Sequence, residues 1–184
     1  MDGSASFDAG RRARFEAVFA SAYEPMQRYV RRRGGGDDTD DIVAEALGVV
    51  WRRLDDVPND AIVPWCLGVA RRCMANQRRS SKRRENLVRR IAAQPGLDPG
   101  DVSDPKLHSA LAKLDDDRRE ILRLWAWEGY GPGEIAAVLG ISANAASIRL
   151  HRARRDLADL LGVGKESDDA GHSSVEARDR KGER

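Results

Sequence analysis

The chain has 184 residues, of which 34% are charged and 41% hydrophobic, and its formal net charge is only +2. This length allows one ordinary domain or two small helical ones, and any basic surface must be balanced by acidic surface elsewhere. Residues 1–10 lack the basic and apolar regions of a signal peptide, and no later stretch approaches the ~20 apolar residues of a membrane helix. We therefore expect a soluble, cytoplasmic protein without membrane insertion. We also expect its first ten residues to be disordered.

Few residues are suited to metal binding or catalysis. Cys66 and Cys73 lie in one predicted helix, about 10 Å apart along its axis, which is too far for a disulfide bond. The three histidines show no zinc-site spacing, and no nucleophile–base arrangement or phosphate-binding loop is evident. The acidic run at residues 115–117 favours a helix start over a metal site. We predict no catalytic site, no metal and no cofactor.

Apolar residues recur at spacings of three and four, without the period of two typical of a half-buried strand, so we predict an all-α fold. The first helix ends before three glycines, and Pro25 either kinks or restarts it. The second helix opens at an acidic cluster that suits the positive end of a helix. Their apolar stripes comprise Phe15, Val18, Phe19, Ala22, Met26, Tyr29 and Val30, then Ile42, Val43, Ala46, Leu47, Val50, Trp51 and Leu54.

The third predicted helix is steeply basic. A loop over residues 55–64 precedes it, and the helix runs from Trp65 to about Arg84. Such a charged surface needs an anionic partner or abundant solvent, so by itself it is a solvated face or an RNA-binding patch. Its basic residues are Arg71, Arg72, Arg78, Arg79, Lys82, Arg83 and Arg84.

The composition changes over residues 94–105, which hold three prolines, two glycines and three aspartates. This is typical of a flexible linker, and the last part of the chain has almost no apolar residues. We therefore predict two small helical domains, over residues 11–90 and 107–161. A linker over residues 91–106 joins them, and residues 162–184 form a disordered tail.

Residues 134–142 have the pattern of a helix-turn-helix: a short apolar helix, Gly140 at the turn, and Ser142 as a cap for the next helix. Such a second helix can enter the DNA major groove while nearby arginines neutralise phosphates. Its predicted core stripe is Ala146, Leu150, Ala153, Leu157 and Leu160. Its outward face carries Asn144, Ala145, Ser147, Ile148, His151, Arg152 and Arg155, flanked by Arg149 and Arg154.

Two basic helices on separate domains favour a ligand long enough to reach both, namely duplex DNA contacted at two sites. An isolated basic run is more often a solvated face, but the helix-turn-helix reverses that preference here. The acidic start of the second helix indicates a third surface, facing a basic protein. Helix capping explains any single aspartate there equally well.

Several stretches resemble the extracytoplasmic-function sigma factors of the sigma-70 family, over nearly the whole span from Phe15 to Leu161. Residues 41–51, D-I-V-A-E-A-L-G-V-V-W, resemble D-L-V-Q-E-V-F-L-R-V-W of the second family region, and residues 65–72, W-C-L-G-V-A-R-R, resemble W-L-x-x-I-A-R-N. E-I-A-A-V-L-G-I-S and R-L-H-R-A-R, at residues 134–142 and 149–154, resemble the fourth region. The last motif is the most specific.

The resemblance implies a role for each surface. Polymerase β′ clamp helices would be contacted by Asp38, Asp41 and Glu45. The −10 element would be contacted by Arg71, Arg72, Asn76, Arg78 and Arg79, with a loop over residues 55–63 holding a flipped base. The −35 element would be contacted by Ser142, Ser147, Ile148, Arg149, His151, Arg152 and Arg155. Because Ser147 replaces the family's usual lysine, we predict an unusual −35 preference.

The resemblance thus implies a sigma factor whose partners are core RNA polymerase, through β′ and β, and promoter DNA. Many family members are held inactive by an anti-sigma protein, which is a further candidate partner. The alternative is a stand-alone helix-turn-helix regulator that binds operator DNA without polymerase. Tight specific binding by the free chain would favour that alternative.

Overall fold

The computed structural model describes residues 3–88 and 104–162, with side chains described for residues 8–80 and 104–162. The described residues form helices and no strands, which confirms the all-α prediction for this part of the chain. The N-terminal domain comprises α1 (Gly3–Arg32), α2 (Thr39–Arg52) and α3 (Ile62–Val88). The C-terminal domain comprises α4 (Pro105–Lys113), α5 (Asp116–Trp127), α6 (Pro132–Leu139) and α7 (Ala143–Leu161).

Helix α1 begins earlier than the sequence suggested. It is helical from Gly3, whereas a disordered segment was expected over residues 1–10. Polar residues can extend an established helix because each adds a hydrogen bond without a new nucleus. Pro25 lies inside the helix without ending it. The helix stops at Arg32, followed by Gly34 with φ +79°, a left-handed conformation that favours glycine.

The connections around α2 and α3 are short. Residues Gly36–Asp38 and Leu54–Asp56 each form a 3-10 turn. Helix α3 begins at Ile62, three residues before the predicted start, so Pro64 lies in its first turn. Proline is tolerated there because the first amide groups of a helix lack intrahelical partners. The predicted base-binding loop is correspondingly shorter, and the side chains of Lys82, Arg83 and Arg84 lie outside those described.

In the C-terminal domain, each helix start has a local cause. Pro105 is the first residue of α4, although the linker was predicted to reach residue 106, and Asp104 caps that helix. Asp115 accepts the Arg118 backbone N–H at 2.7 Å, so the acidic run is a helix start, as predicted. The predicted linker otherwise falls largely, and the tail almost entirely, outside the described residues.

The two domains pack against each other rather than standing apart. The buried apolar residues of both belong to one continuous cluster, in which α3 contacts α6. Tyr29 and Leu67 anchor the N-terminal side, and Ile121 and Ile135 the C-terminal side. The separate domains expected from the linker composition therefore share an interface.

Three residues predicted on core stripes are exposed. Phe19 is 39% exposed, Trp51 40% and Leu160 38%. Phe19 stacks on Tyr23, and Trp51 packs edge-on against Phe15, so the aromatic side chains form a surface cluster. Among the described residues, no helix has the length and apolar character needed to cross a membrane.

Candidate nucleic-acid interface

The helix-turn-helix is formed by α6 and α7. Gly140 ends α6 in a left-handed conformation, with φ +69°, and its N–H reaches the Ala136 carbonyl at 2.8 Å. Ser142 is the N-cap of α7, and its Oγ accepts the Ala145 N–H at 3.2 Å. Only glycine adopts such a conformation without strain. The predicted turn and cap are therefore confirmed.

Helix α7 buries one face and exposes the other. Ala146, Leu150 and Ala153 are buried and Leu157 is half-buried, in agreement with the predicted core stripe up to that residue. Ile148 is 44% exposed, so its side chain is accessible on the outward face of the helix. All the residues predicted to contact the −35 element are exposed: Ser142, Ser147, Ile148, Arg149, His151, Arg152 and Arg155.

The arginines of α7 have different surroundings. Arg154 lies over the Trp125 ring of α5, with its guanidinium carbon 4.7 Å from the ring centre. Arg155 makes a loose contact with Asp156, at 3.9 Å, and its side chain remains 66% exposed. Arg118 of α5 holds Asp156 at 2.8 Å, which fixes α7 against α5. Arg152 and Arg155 are thus available to an anion, whereas Arg154 also packs within the domain.

The basic residues of α3 fall into two groups. Arg72, Asn76 and Arg79 follow one another at helical spacing and are exposed. Arg71 instead approaches Asp117 of α5 at 3.6 Å, and Arg78 donates to the Arg33 carbonyl. Arg78 is nevertheless exposed, so four of the five predicted −10 residues are exposed and Arg71 is half-buried.

The three predicted polymerase contacts lie just before α2 and in its N-terminal half, and are all exposed. Asp38 occupies the N-cap position, but its side chain makes no capping hydrogen bond. Local capping therefore does not account for Asp38. Glu45 lies beside the buried Cys73 thiol, whose pKa is raised to about 11 by burial and by this carboxylate.

A buried ionic contact joins the domains and was not predicted. The interdomain cluster comprises Tyr29 and Arg33 of the N-terminal domain and Glu120 and Glu128 of α5 and its C-cap. Arg33 Nε lies 2.9 and 3.0 Å from the Glu120 carboxylate oxygens, and the Tyr29 hydroxyl donates to Glu120 at 2.8 Å. Glu120 is next to the buried Ile121 in the sequence. A glutamate on an apolar helix face predicts a buried charged partner, and this is the signal that could have indicated the contact with Arg33.

The ionisation of this cluster follows from its burial. The pKa of Tyr29 is raised by burial and by the adjacent Glu120 carboxylate. Burial alone would lower the pKa of Arg33, but Glu120 and Tyr29 more than offset it and the pKa is raised. Arg33 therefore stays charged and the Tyr29 hydroxyl stays protonated as a donor.

Metal-binding geometry does not occur in the described part of the chain, where no group of three or more His, Cys, Asp or Glu could hold an ion. Cys66 and Cys73 are free and buried. Burial raises the pKa of Cys66 to about 12. The cysteines thus behave as the small apolar core residues that the sequence indicated.

Comparison with known proteins agrees with this architecture. The family model described as sigma-70, region 4 matches residues 105–157, which span α4 to most of α7. The RNA polymerase sigma factor CarQ of Myxococcus xanthus is 34% identical over 167 residues, covering 85% of this chain and 94% of CarQ. NccH of Alcaligenes xylosoxydans xylosoxydans, also an RNA polymerase sigma factor, is 32% identical over 67% of this chain and 73% of its own.

Solved structures give the same fold. The structure of CnrH in complex with the cytosolic domain of CnrY has a TM-score of 0.53 and 27% identity, covering 82% of this chain and 88% of that one. The similarity extends over both domains and is not confined to the helix-turn-helix. The chain therefore belongs to the extracytoplasmic-function RNA polymerase sigma factors of the sigma-70 family.

Proposed function

We propose that the chain binds core RNA polymerase and directs initiation at promoters that carry a −10 and a −35 element. The proposal is supported by membership in the sigma factors, and one observation carries it: exposed basic faces lie on α7 and on α3, in two different domains. The polymerase performs the chemistry, and this chain supplies recognition. We expect it to act in the cytoplasm.

The −35 contact is proposed for the outward face of α7. Ser147 and Ile148 lie near the helix start, where side chains of a helix-turn-helix meet base edges. Ile148 is suited to a thymine methyl group, and the short Ser147 cannot reach a guanine as a lysine can. Arg155 lies further along the helix and suits phosphate, whereas Arg152 is proposed to contact a base edge. These substitutions favour the unusual −35 preference.

The −10 contact is proposed for the exposed stripe of α3. Arg72 and Arg79 suit the phosphates of an opened strand, and Asn76 between them can contact a base. Arg78 is exposed beside this stripe, and Arg71 joins it fully when its contact with Asp117 is released. The short connection before α3 is the candidate site for a flipped base.

Polymerase docking is proposed for the acidic start of α2. Asp38, Asp41 and Glu45 are exposed and together present negative charge to a partner. Complementary charge speeds association and sets orientation more than it adds affinity. The β′ clamp helices are the proposed partner of this face, and the β subunit is proposed to hold the C-terminal domain.

An anti-sigma protein is a further proposed partner. The solved CnrH structure contains the cytosolic domain of CnrY, and CnrH shares the fold over both domains of this chain. We propose that a comparable partner binds here. Copurification of a partner that competes with core polymerase would support this.

Run-off transcription with purified core polymerase on a randomised promoter pool tests the proposal. We expect transcripts only when both proteins are present, and copurification of the chain with β′. Arg152→Ala should reduce the yield, while Arg154→Ala, on the arginine that packs over Trp125, should reduce it less. Tight sequence-specific binding by the free chain, without initiation, would instead support the stand-alone regulator.

A further inference from the structure

The α2–α3 connection, residues 53–61, is held in place by a side chain of α1. Arg14 Nη2 donates to the Val57 carbonyl at 2.8 Å and lies 3.5 Å from the side-chain oxygen of Asn59. Val57 is buried, and a buried carbonyl without a donor would destabilise the fold. Arg14 is 43 positions away from Val57 in the chain. The contact therefore exists only when α1 packs beside the connection.

A second arginine of α1 holds the start of the same connection. Arg11 donates to the Trp51 carbonyl at 2.7 Å and to Asp55 Oδ2 at 3.0 Å. The Asp55 side chain is 80% exposed, so the ion pair itself contributes little. The Trp51 carbonyl is in the last turn of α2, where carbonyl groups lack an intrahelical donor. Arg11 therefore fixes the point at which the chain leaves α2.

The second half of the connection depends on Arg14 for its shape. The first half is a 3-10 turn, followed by a hydrogen bond from the Val57 N–H at 3.3 Å. Pro58 follows and has no N–H to donate. The two contacts of Arg14 fall on either side of this proline, at Val57 and Asn59. The side chains of Asn59 and Asp60 remain exposed.

Such an arrangement suits a site that receives an unstacked base. Moving a base out of the stack is unfavourable, and contacts in the receiving site offset this. A receiving loop that is already ordered loses less of that gain to its own ordering. The amide of Asn59 can both donate to and accept from a base edge. Because its oxygen lies beside the Arg14 guanidinium, its NH2 group is left to donate to a base.

We infer that Arg14, assisted by Arg11, is a positioning residue that holds the α2–α3 connection in shape for an unstacked −10 base, whose edge Asn59 contacts. The inference rests on the proposed function and deepens it. Arg14 acts through the shape of the connection, and Asn59 contacts the base. Loss of either residue should therefore affect one base position and leave recognition of the −35 element unchanged.

Base selectivity in the reconstituted polymerase complex tests this role. Open-complex formation is compared on promoters that carry each of the four bases at each −10 position in turn. Arg14→Gln and Asn59→Ala should each lower selectivity at the same single position by about fivefold or more. Arg12→Gln is the matched control, because it removes an equal charge from an exposed position of the same helix. The Arg14→Gln/Asn59→Ala double variant should lose no more selectivity than the larger single loss, since the two residues act as one unit.

Hydrogen exchange in the free chain tests the positioning without DNA. Exchange of the Val57 amide, which follows the 3-10 turn, should be several times faster in Arg14→Gln than in the wild-type chain. Amides in the middle of α2 should exchange at the wild-type rate, and Arg12→Gln should match the wild type throughout. Circular dichroism checks the folding of each variant. If Arg14→Gln does not fold, Arg14→Lys, which keeps the charge and a single donor group, takes its place.

The outcomes separate this inference from the proposed function. Loss of selectivity at one shared −10 position, with faster Val57 exchange and an unchanged Arg12→Gln, supports the inference. An equal loss on every promoter overturns it, because that result indicates a general structural role. Wild-type selectivity in both single variants, or wild-type exchange at Val57, also overturns it while the proposed function stands. If the wild-type chain directs no transcription with core polymerase, the proposed function fails, and the role in base selectivity fails with it.

Discussion

The two basic helices of this protein differ in what surrounds them. The outward face of α7 is exposed along its length and faces away from its own domain, whereas α3 is divided between an exposed stripe and residues engaged by Asp117 and Arg33. In sequence the two helices look alike. A run of arginines therefore predicts an anion-binding surface only where the fold leaves the guanidinium groups uncovered.

The largest effect is expected on the free energy of unfolding, from a substitution in the core against which α7 packs. Ile135 of α6 is completely buried, and truncation of such a residue costs about 2–5 kcal/mol. Ile135→Ala should therefore lower the free energy of unfolding by that amount, as measured by denaturant titration. Ile148→Ala, on the 44% exposed isoleucine, is the matched control and should stay within about 0.5 kcal/mol. Equal losses would mean that Ile148 is not a surface residue.

The next-largest effect is expected on DNA binding by α7. Its dependence on the DNA sequence distinguishes a base contact from a phosphate contact. Arg152→Ala should reduce binding of the polymerase complex to its −35 element by about 1–3 kcal/mol if Arg152 contacts a base, and should relax selectivity at one position. Competition between promoter variants measures both quantities. A uniform loss across all sequences would show that Arg152 contacts phosphate alone.

A smaller effect is expected on α3. Arg72 lies on the exposed stripe, and we expect it to bind phosphate of the opened strand. Arg72→Ala should weaken complex formation severalfold on every promoter and reduce the slope of log affinity against log salt by about 0.7. Salt titration of open-complex formation measures this slope. An altered base preference with an unchanged salt slope would show that Arg72 contacts a base and not phosphate, which would contradict this expectation.

The smallest effect concerns the start of α5. The backbone N–H of Arg118 lowers the pKa of Asp115, so its carboxylate stabilises the folded state above its unfolded pKa of about 3.9. Asp115→Ala should cost about 1 kcal/mol at pH 7, and the difference should shrink as pH falls through the lowered folded pKa. Ser142→Ala removes a hydroxyl cap that does not titrate in this pH range. Its effect on the free energy of unfolding should therefore not change as the pH falls. Thermal unfolding across pH compares them.

Much of this architecture could be predicted locally. The spacing of Ala146, Leu150 and Ala153, the glycine at residue 140 and the cap at Ser142 each depend on a few neighbouring residues. The acidic start of α5 is another such case. Local chemistry fixes these features because their hydrogen bonds close within one helical turn.

The missed features depend on residues far apart in the chain. Arg33 and Glu120 are 87 positions apart, so the residues around one of them give no indication of the other. Trp51 and Phe19 lie on predicted apolar stripes but are exposed, and helical periodicity alone does not show where the buried area ends. Gly68 is a similar case, because its close approach to the backbone of α6 depends on residues far from it in the chain.

We propose that the basic faces of α3 and α7 contact two different elements of one promoter. Photocrosslinking from the reconstituted polymerase complex tests it most directly, with a photoreactive side chain placed at Asn76 in one preparation and at Ser147 in another. We expect crosslinks near the −10 element from position 76 and near the −35 element from position 147, each dependent on core polymerase. Crosslinks from both positions to one element, or equal crosslinks without polymerase, would contradict it.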